Sequence, residues 1–90
     1  MEPENIREKL EGLYTELRNT RSSDKQTEAR LRSLSAEVKD AIDNLDDLRP
    51  EQHKGVLDRL RGAVQHFETS HPELTSVLND VISSLANWGI

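Results

Sequence analysis

Ninety residues carry 17 acidic and 12 basic side chains, a net charge of -5, and 33% hydrophobic residues, which is little for a single domain that must bury a core by itself. A monomer of this size hides only about 60% of its unfolded surface, so the composition favours completion by another chain. Without cysteine there is no disulfide framework, zinc-thiolate site or thiol nucleophile; no apolar run is long enough to span a membrane, and the opening MEPENIREKL lacks the basic-then-apolar order of a standard secretion signal.

Ile6, Leu10, Leu13 and Leu17 are spaced four, three and four apart. That spacing predicts an amphipathic helix over 4–19 with one apolar stripe. Leu31, Leu34, Val38, Ala41, Leu45 and Leu48 repeat the alternation, widened by Ile42, and predict a second helix over 24–48, roughly 37 Å long at 1.5 Å per residue. Ser23 followed by Gln26 has capping-box spacing at its start, and Pro50 fits its end, because the residue before a proline is pushed out of the helical region. The stretch from Ile6 to Leu48 also keeps one heptad frame if Thr20, Asp24 and Thr27 are its polar members, so a single long helix is the alternative to a hairpin. The hairpin is favoured. Residues 19–24 (NTRSSD) are rich in turn and cap residues, and three polar seam positions in succession would leave a coiled coil unglued.

A third helix over 51–68 carries Leu57, Leu60, Val64 and Phe67 on one side, with Val56 and Ala63 at its flank. Gly55 and Gly62 within it cost about 1 kcal/mol each relative to alanine, making it the least stable helix in isolation. Thr69-Ser70-His71-Pro72-Glu73 breaks and restarts the chain, with proline suited to a first turn and Ser70 and Glu73 at capping-box spacing. The fourth helix, over 72–88, has the widest apolar face: Leu74, Val77, Leu78, Val81, Ile82, Leu85 and Trp88. Such a face suits a helix with two neighbours and places it at the centre. The chain then ends on Trp88, Gly89 and Ile90, an apolar terminus expected to dock onto the bundle or a second subunit, with Gly89 suited to a C-cap.

Few groups are arranged for chemistry. His66 and His71 are five apart across a helix end, not the three or four that align two ligands, and His53 stands alone, so no metal role is assigned. His71, beside Pro72, is expected to bond the last carbonyls of the third helix or hold the turn. Asp40, Asp43, Asp46 and Asp47 lack the glycine and spacing of a calcium loop. They read as a solvated acidic face, or as a patch that meets a basic partner or Lys54, Arg59 and Arg61. Arg18, Arg21 and Lys25 are interleaved with Glu16, Asp24 and Glu28, and three aromatics in the whole chain do not make a stacking surface for nucleic acid. Tyr14 reads as a rim residue. No nucleophile elbow or phosphate-cradling loop is present, so neither enzyme activity nor a cofactor is expected.

Phe67-Glu68, His71-Pro72, Leu74, Leu78 and the closing Leu85-Ala86-Asn87-Trp88-Gly89-Ile90 resemble the signature of the bacterial domain of unknown function 4404 family. Its members are short acidic helical chains with an FExxHPxL segment and a terminal glycine and isoleucine. The segment Leu13–Leu17 (LYTEL) is also similar to that family's first helix. The resemblance covers the whole chain, with its specific part in residues 67–90; Trp88 departs from the methionine expected there, one large apolar group for another. It implies a bacterial cytoplasmic protein and assigns no activity.

The expectation is therefore one all-α domain of helical hairpins, packed in coiled-coil fashion as a small antiparallel bundle and completed by dimerisation. Its function is expected to be non-catalytic self-association through apolar helix faces, at Leu10, Leu13, Leu17, Leu31, Leu34, Val38, Leu78, Trp88 and Ile90. The alternatives are a regulatory adaptor that binds a helix of another protein and, disfavoured by the charge balance, a nucleic-acid or envelope-associated accessory factor.

Overall fold

A computed structural model describes residues 3–47 and 49–87, with side chains from Ile6 onward. Among the described residues four helices follow one another: α1 (Pro3–Asn19), α2 (Lys25–Asp43), α3 (Pro50–Phe67) and α4 (Pro72–Asn87), with a 3-10 turn at Leu45–Asp47 between α2 and α3. Among the described residues there is no strand. Short links at 20–24 and 68–71 force α1–α2 and α3–α4 into antiparallel hairpins, and the hairpins join through α1 against α4. The result is an all-α bundle 36 × 21 × 19 Å.

The turn after Asn19 settles the hairpin against the long helix. Thr20 donates its backbone N–H and its hydroxyl to the Glu16 carbonyl, at 2.9 and 2.7 Å, closing α1. The cap of α2 is not the Ser23–Gln26 box but Asp24, whose extended backbone lets its carboxylate accept from the Thr27 N–H at 3.1 Å and the Thr27 hydroxyl at 2.7 Å. Ser22 helps from two residues further out, accepting the Asp24 N–H on its hydroxyl. The Thr27 hydroxyl and then its N–H hold the Asp24 carboxyl below its usual range. A lowered native value makes this cap complete at neutral pH and undone only as pH falls through that value.

The second helix stops earlier than its heptad suggests, at Asp43 rather than at 48; Leu48 lies outside the described residues. Its last turn has no basic side chain to answer the carbonyl dipoles. Asn44 answers them instead, donating Nδ2 to the Asp40 carbonyl at 2.9 Å, while Arg7 of α1 donates Nη1 to the Ile42 carbonyl at 3.2 Å. Ending there lets the 3-10 turn swing Leu45 inward, where it is 2% exposed. Pro50, expected to mark the end of the second helix, is the first residue of α3, where its missing N–H costs nothing. Gln52 supports that start, accepting the Arg49 N–H on Oε1 at 3.0 Å.

At the start of α4 the Ser70–Glu73 box is replaced as well. Pro72 opens the helix, and the Ser70 hydroxyl meets His71 Nδ1 at 2.8 Å. His71 does hold the turn: its N–H donates to the Phe67 carbonyl at 2.8 Å, its ring stands edge-on to Phe67, and its Nε2 lies 3.5 Å from the Arg21 carbonyl in the other hairpin's turn.

The core is one cluster fed by all four helices. Ile6, Leu10, Leu13 and Leu17 of α1 and Leu74, Leu78, Val81 and Leu85 of α4 are each buried to 2% exposure or less. The wide-faced α4 does touch two neighbours, α3 and α1, but α1 shares the centre with it, touching α2 and α4. A narrow stripe of large branched side chains is enough for that role when one of the two neighbours brings the width.

Candidate functional site

Around this bundle α1–α2, α3–α4 and α1–α4 are closely packed, while α2 and α3 barely meet. The open α2–α3 edge follows from its residues. Where α1 and α4 place leucine, this edge has Ser33, Ala36, Gly55, Gly62 and Ala63, too little apolar bulk to draw two helices together. A Cβ placed at Gly55 or Gly62 would meet nothing within 4 Å, so these glycines do not serve a close approach of α2 to α3.

A single ion pair crosses the middle of the edge among the described residues, with Arg59 Nη1 3.6 Å from Glu37 Oε2. On one side of it lies a hollow of about 660 Å³ with Leu34, Val38, Ala41, Val56 and Leu60 in its lining and Asp40 and Glu51 at its margin. On the other side a smaller hollow of about 290 Å³ reaches Phe67 and carries Arg30 and His66. The edge is therefore acidic toward one end, basic toward the other and apolar along its floor.

Seven of the nine residues expected to form an interface lie in the core of one chain. Leu10, Leu13, Leu17, Leu31, Leu34, Val38 and Leu78 are brought together in the same cluster, none more than 7% exposed. Of these only Leu34 and Val38 also reach the open edge, and contact between copies of this fold would draw on their margins and on neighbours such as Val56. Trp88 and Ile90 lie outside the described residues. The acidic run does not meet the cations of α3: Asp43 pairs with Lys39 at 3.5 Å and Asp46 with Arg7 at 3.8 Å, while Arg61 turns to Asp58 at 3.9 Å. Tyr14 is half-buried at the rim of the core, with Arg18 donating to its hydroxyl at 3.1 Å.

One functional side chain has no signal in the spacing. His53, in the first turns of α3, is buried and its Nε2 donates to the Leu85 carbonyl at 2.7 Å. That carbonyl belongs to the last turn of α4 as described, Pro72–Asn87, and carbonyls in a last turn take partners from outside the helix. His53 thus acts as a cap supplied from another helix, a role that only tertiary structure reveals. Among the described residues no three His, Asp or Glu side chains are grouped to hold a metal ion, and no helix is long and apolar enough to cross a membrane.

No curated protein and no solved structure shows a significant match to this chain. The family model described as Domain of unknown function (DUF4404) matches residues 6–90, which include the first apolar stripe, both hairpins and the FExxHPxL segment. With the match extending over nearly the whole chain, the protein belongs to the DUF4404 family.

Proposed function

We propose that this protein is a non-catalytic self-associating module and that a second copy docks on the open α2–α3 edge. The observation that carries the reading is the edge itself: an apolar floor, no covering helix among the described residues, and opposite charge at its two ends. A two-fold axis through the Arg59–Glu37 pair would reverse the edge and set Arg30 and His66 of one copy toward Asp40 and Glu51 of the other. Such self-complementarity is what an isologous interface needs. The long faces of the molecule measure 36 Å by 19–21 Å, comparable with the about 800 Å² per partner of a standard interface. The setting in this reading is the bacterial cytoplasm, as the family resemblance implies.

Light scattering over a concentration series tests it. The expected result is a dimer that Val56→Asp or Arg59→Glu dissociates while circular dichroism shows the helices intact. A monomer at every concentration overturns the reading and gives the edge to a helix of another protein.

A further inference from the structure

The open edge is not the only hollow on the bundle. On the flank of the first hairpin, α1 and α2 border a half-open hollow of about 620 Å³, within the size range of small-ligand sites. Its lining carries Arg18, Arg21, Arg32 and Lys39 against the single carboxylate of Glu28. Four positive charges less one give +3, on a chain whose net charge is -5.

Helical spacing explains the cluster. Arg32, Ser35 and Lys39 lie three and four apart on α2, next to the buried Leu31, Leu34 and Val38, and Tyr14 and Arg18 face them from α1. The cations differ in how far they are engaged. Arg21 is turned back on the carbonyls of Arg18 and Thr20, at 2.7 and 3.3 Å. Lys39 lies 3.5 Å from Asp43 in an exposed pair, the kind that contributes little. Arg18 spends one N–H on the Tyr14 hydroxyl. Arg32 has no ion pair or hydrogen bond with any described residue. Glu28, at the turn end, accepts the Ser22 N–H.

Ser35 supplies an independent observation. It is only 8% exposed, yet its hydroxyl has no protein partner among the described residues. Hydroxyls in such places are ordinarily bonded, as those of the half-buried Thr20 and Thr75 are, to the carbonyl four residues back; Ser84 of α4, 5% exposed, has no hydrogen bond among the described residues either, but it does not line this hollow. The Ser35 oxygen is not wholly sealed, and the space it opens onto is this hollow. An unbonded hydroxyl that opens onto the hollow, beside the unengaged guanidinium of Arg32 and that of Arg18 with one N–H spent, is a donor set for phosphate oxygens, which arginine engages through paired N–H groups.

We infer that the α1–α2 hollow binds a phosphorylated small molecule, with Arg18 and Arg32 on its phosphate, Ser35 donating from below, Lys39 adding charge and Tyr14 as the apolar wall. This site is separate from the α2–α3 edge and does not depend on self-association.

The full chain, labelled with 15N, is titrated with sodium pyrophosphate at low ionic strength. Saturable shifts centred on Arg18, Arg32 and Ser35 are expected. Arg32→Ala weakens the affinity at least about tenfold, as loss of a hydrogen bond to a charged group does. Lys54→Ala, which removes the same charge from the exposed face of α3, changes it by less than about twofold. Ser35→Ala lowers affinity with the melting curve preserved, and Glu28→Gln raises it. Flotation with phosphatidic-acid vesicles identifies the source of the phosphate: binding there that Arg32→Ala abolishes assigns a lipid headgroup, and pyrophosphate binding without flotation assigns a soluble ligand. Absence of saturation with both probes, or equal losses for Arg32→Ala and Lys54→Ala, overturns the site.

Discussion

The α1–α4 seam and the α2–α3 edge are each lined by two helices of 16 to 19 residues, yet one is closed and the other stands open. Along the seam, Ile6, Leu10, Leu13 and Leu17 meet Leu74, Leu78, Val81 and Leu85, large branched groups on nearly every turn. At the edge the facing positions are Ser33, Ala36, Gly55, Gly62 and Ala63, with an arginine and a glutamate reaching across. Small residues let backbones approach, but in water the approach is driven by apolar area removed from solvent. Where that area is missing the helices part, and the molecule keeps a surface it has not used.

Deleting bulk on either side separates the two regions most sharply. Leu78 is completely buried at the seam, so Leu78→Ala should cost about 3 kcal/mol in urea unfolding, a large share of the stability of so small a domain. Val56 lies at the edge, half-buried, and Val56→Ala should cost no more than about 1 kcal/mol. Equal costs would mean that the edge is covered as tightly as the seam.

Next in size is the polar contact between His53 of α3 and the last described turn of α4. Replacing His53 with alanine leaves the Leu85 carbonyl without its 2.7 Å donor and should destabilise by about 2 kcal/mol. Amide exchange in the last turn of α4 should rise more than exchange elsewhere. A uniform rise would show that His53 fills space and does not act as a cap.

These contacts mark how far the sequence could be read. The apolar spacing of three and four was sufficient for the four helices and for the membership of the core, because buried area dominates both and is carried by residue type. Turn residues in NTRSSD were sufficient for the hairpin. Capping was less legible: Ser23, Asp24 and Ser70 all satisfy the same local rule, and the choice among them depends on which backbone is extended at the junction. The end of the second helix was missed because its heptad continues through Leu45 to Leu48 while the chain leaves the helix after Asp43 and buries Leu45 from a 3-10 turn. The open edge had a trace in the sequence, Gly55 and Gly62 seven apart on one face of α3, which looked only like a cost to the helix. Nothing in the spacing distinguishes a leucine that meets its own chain from one that meets another, so the interface residues could be listed as apolar but not placed.

The glycines offer a smaller test. Because a Cβ at Gly62 meets nothing within 4 Å, Gly62→Ala should stabilise the monomer by about 0.5–1 kcal/mol, the helical cost of glycine relieved. Gly55→Ala should do the same. Should Gly55→Ala stabilise the fold but weaken association, the glycine is retained for the partner's approach and not for that of α2.

Charge pairs give the smallest effect and the finest comparison. Lys9 Nζ lies 2.8 Å from Asp80 Oδ2 across the seam, and Arg59 lies 3.6 Å from Glu37 across the edge. Both pairs are largely exposed, so neither should exceed about 1 kcal/mol. They differ in what holds them. The helices under Lys9 and Asp80 are locked by leucines, so the side chains lose less freedom in meeting, and a double-mutant cycle should give a coupling of about 0.5 kcal/mol that fades with salt. The helices under Arg59 and Glu37 are not locked, and in the monomer their coupling should fall near zero. In a dimer docked on this edge the same two residues would sit at the two-fold axis, where desolvation strengthens them. A coupling for Arg59–Glu37 that grows with protein concentration, while that for Lys9–Asp80 stays constant, would tie the open edge to the second copy; coupling that is equal and concentration-independent at both places would mean that the edge is only a surface.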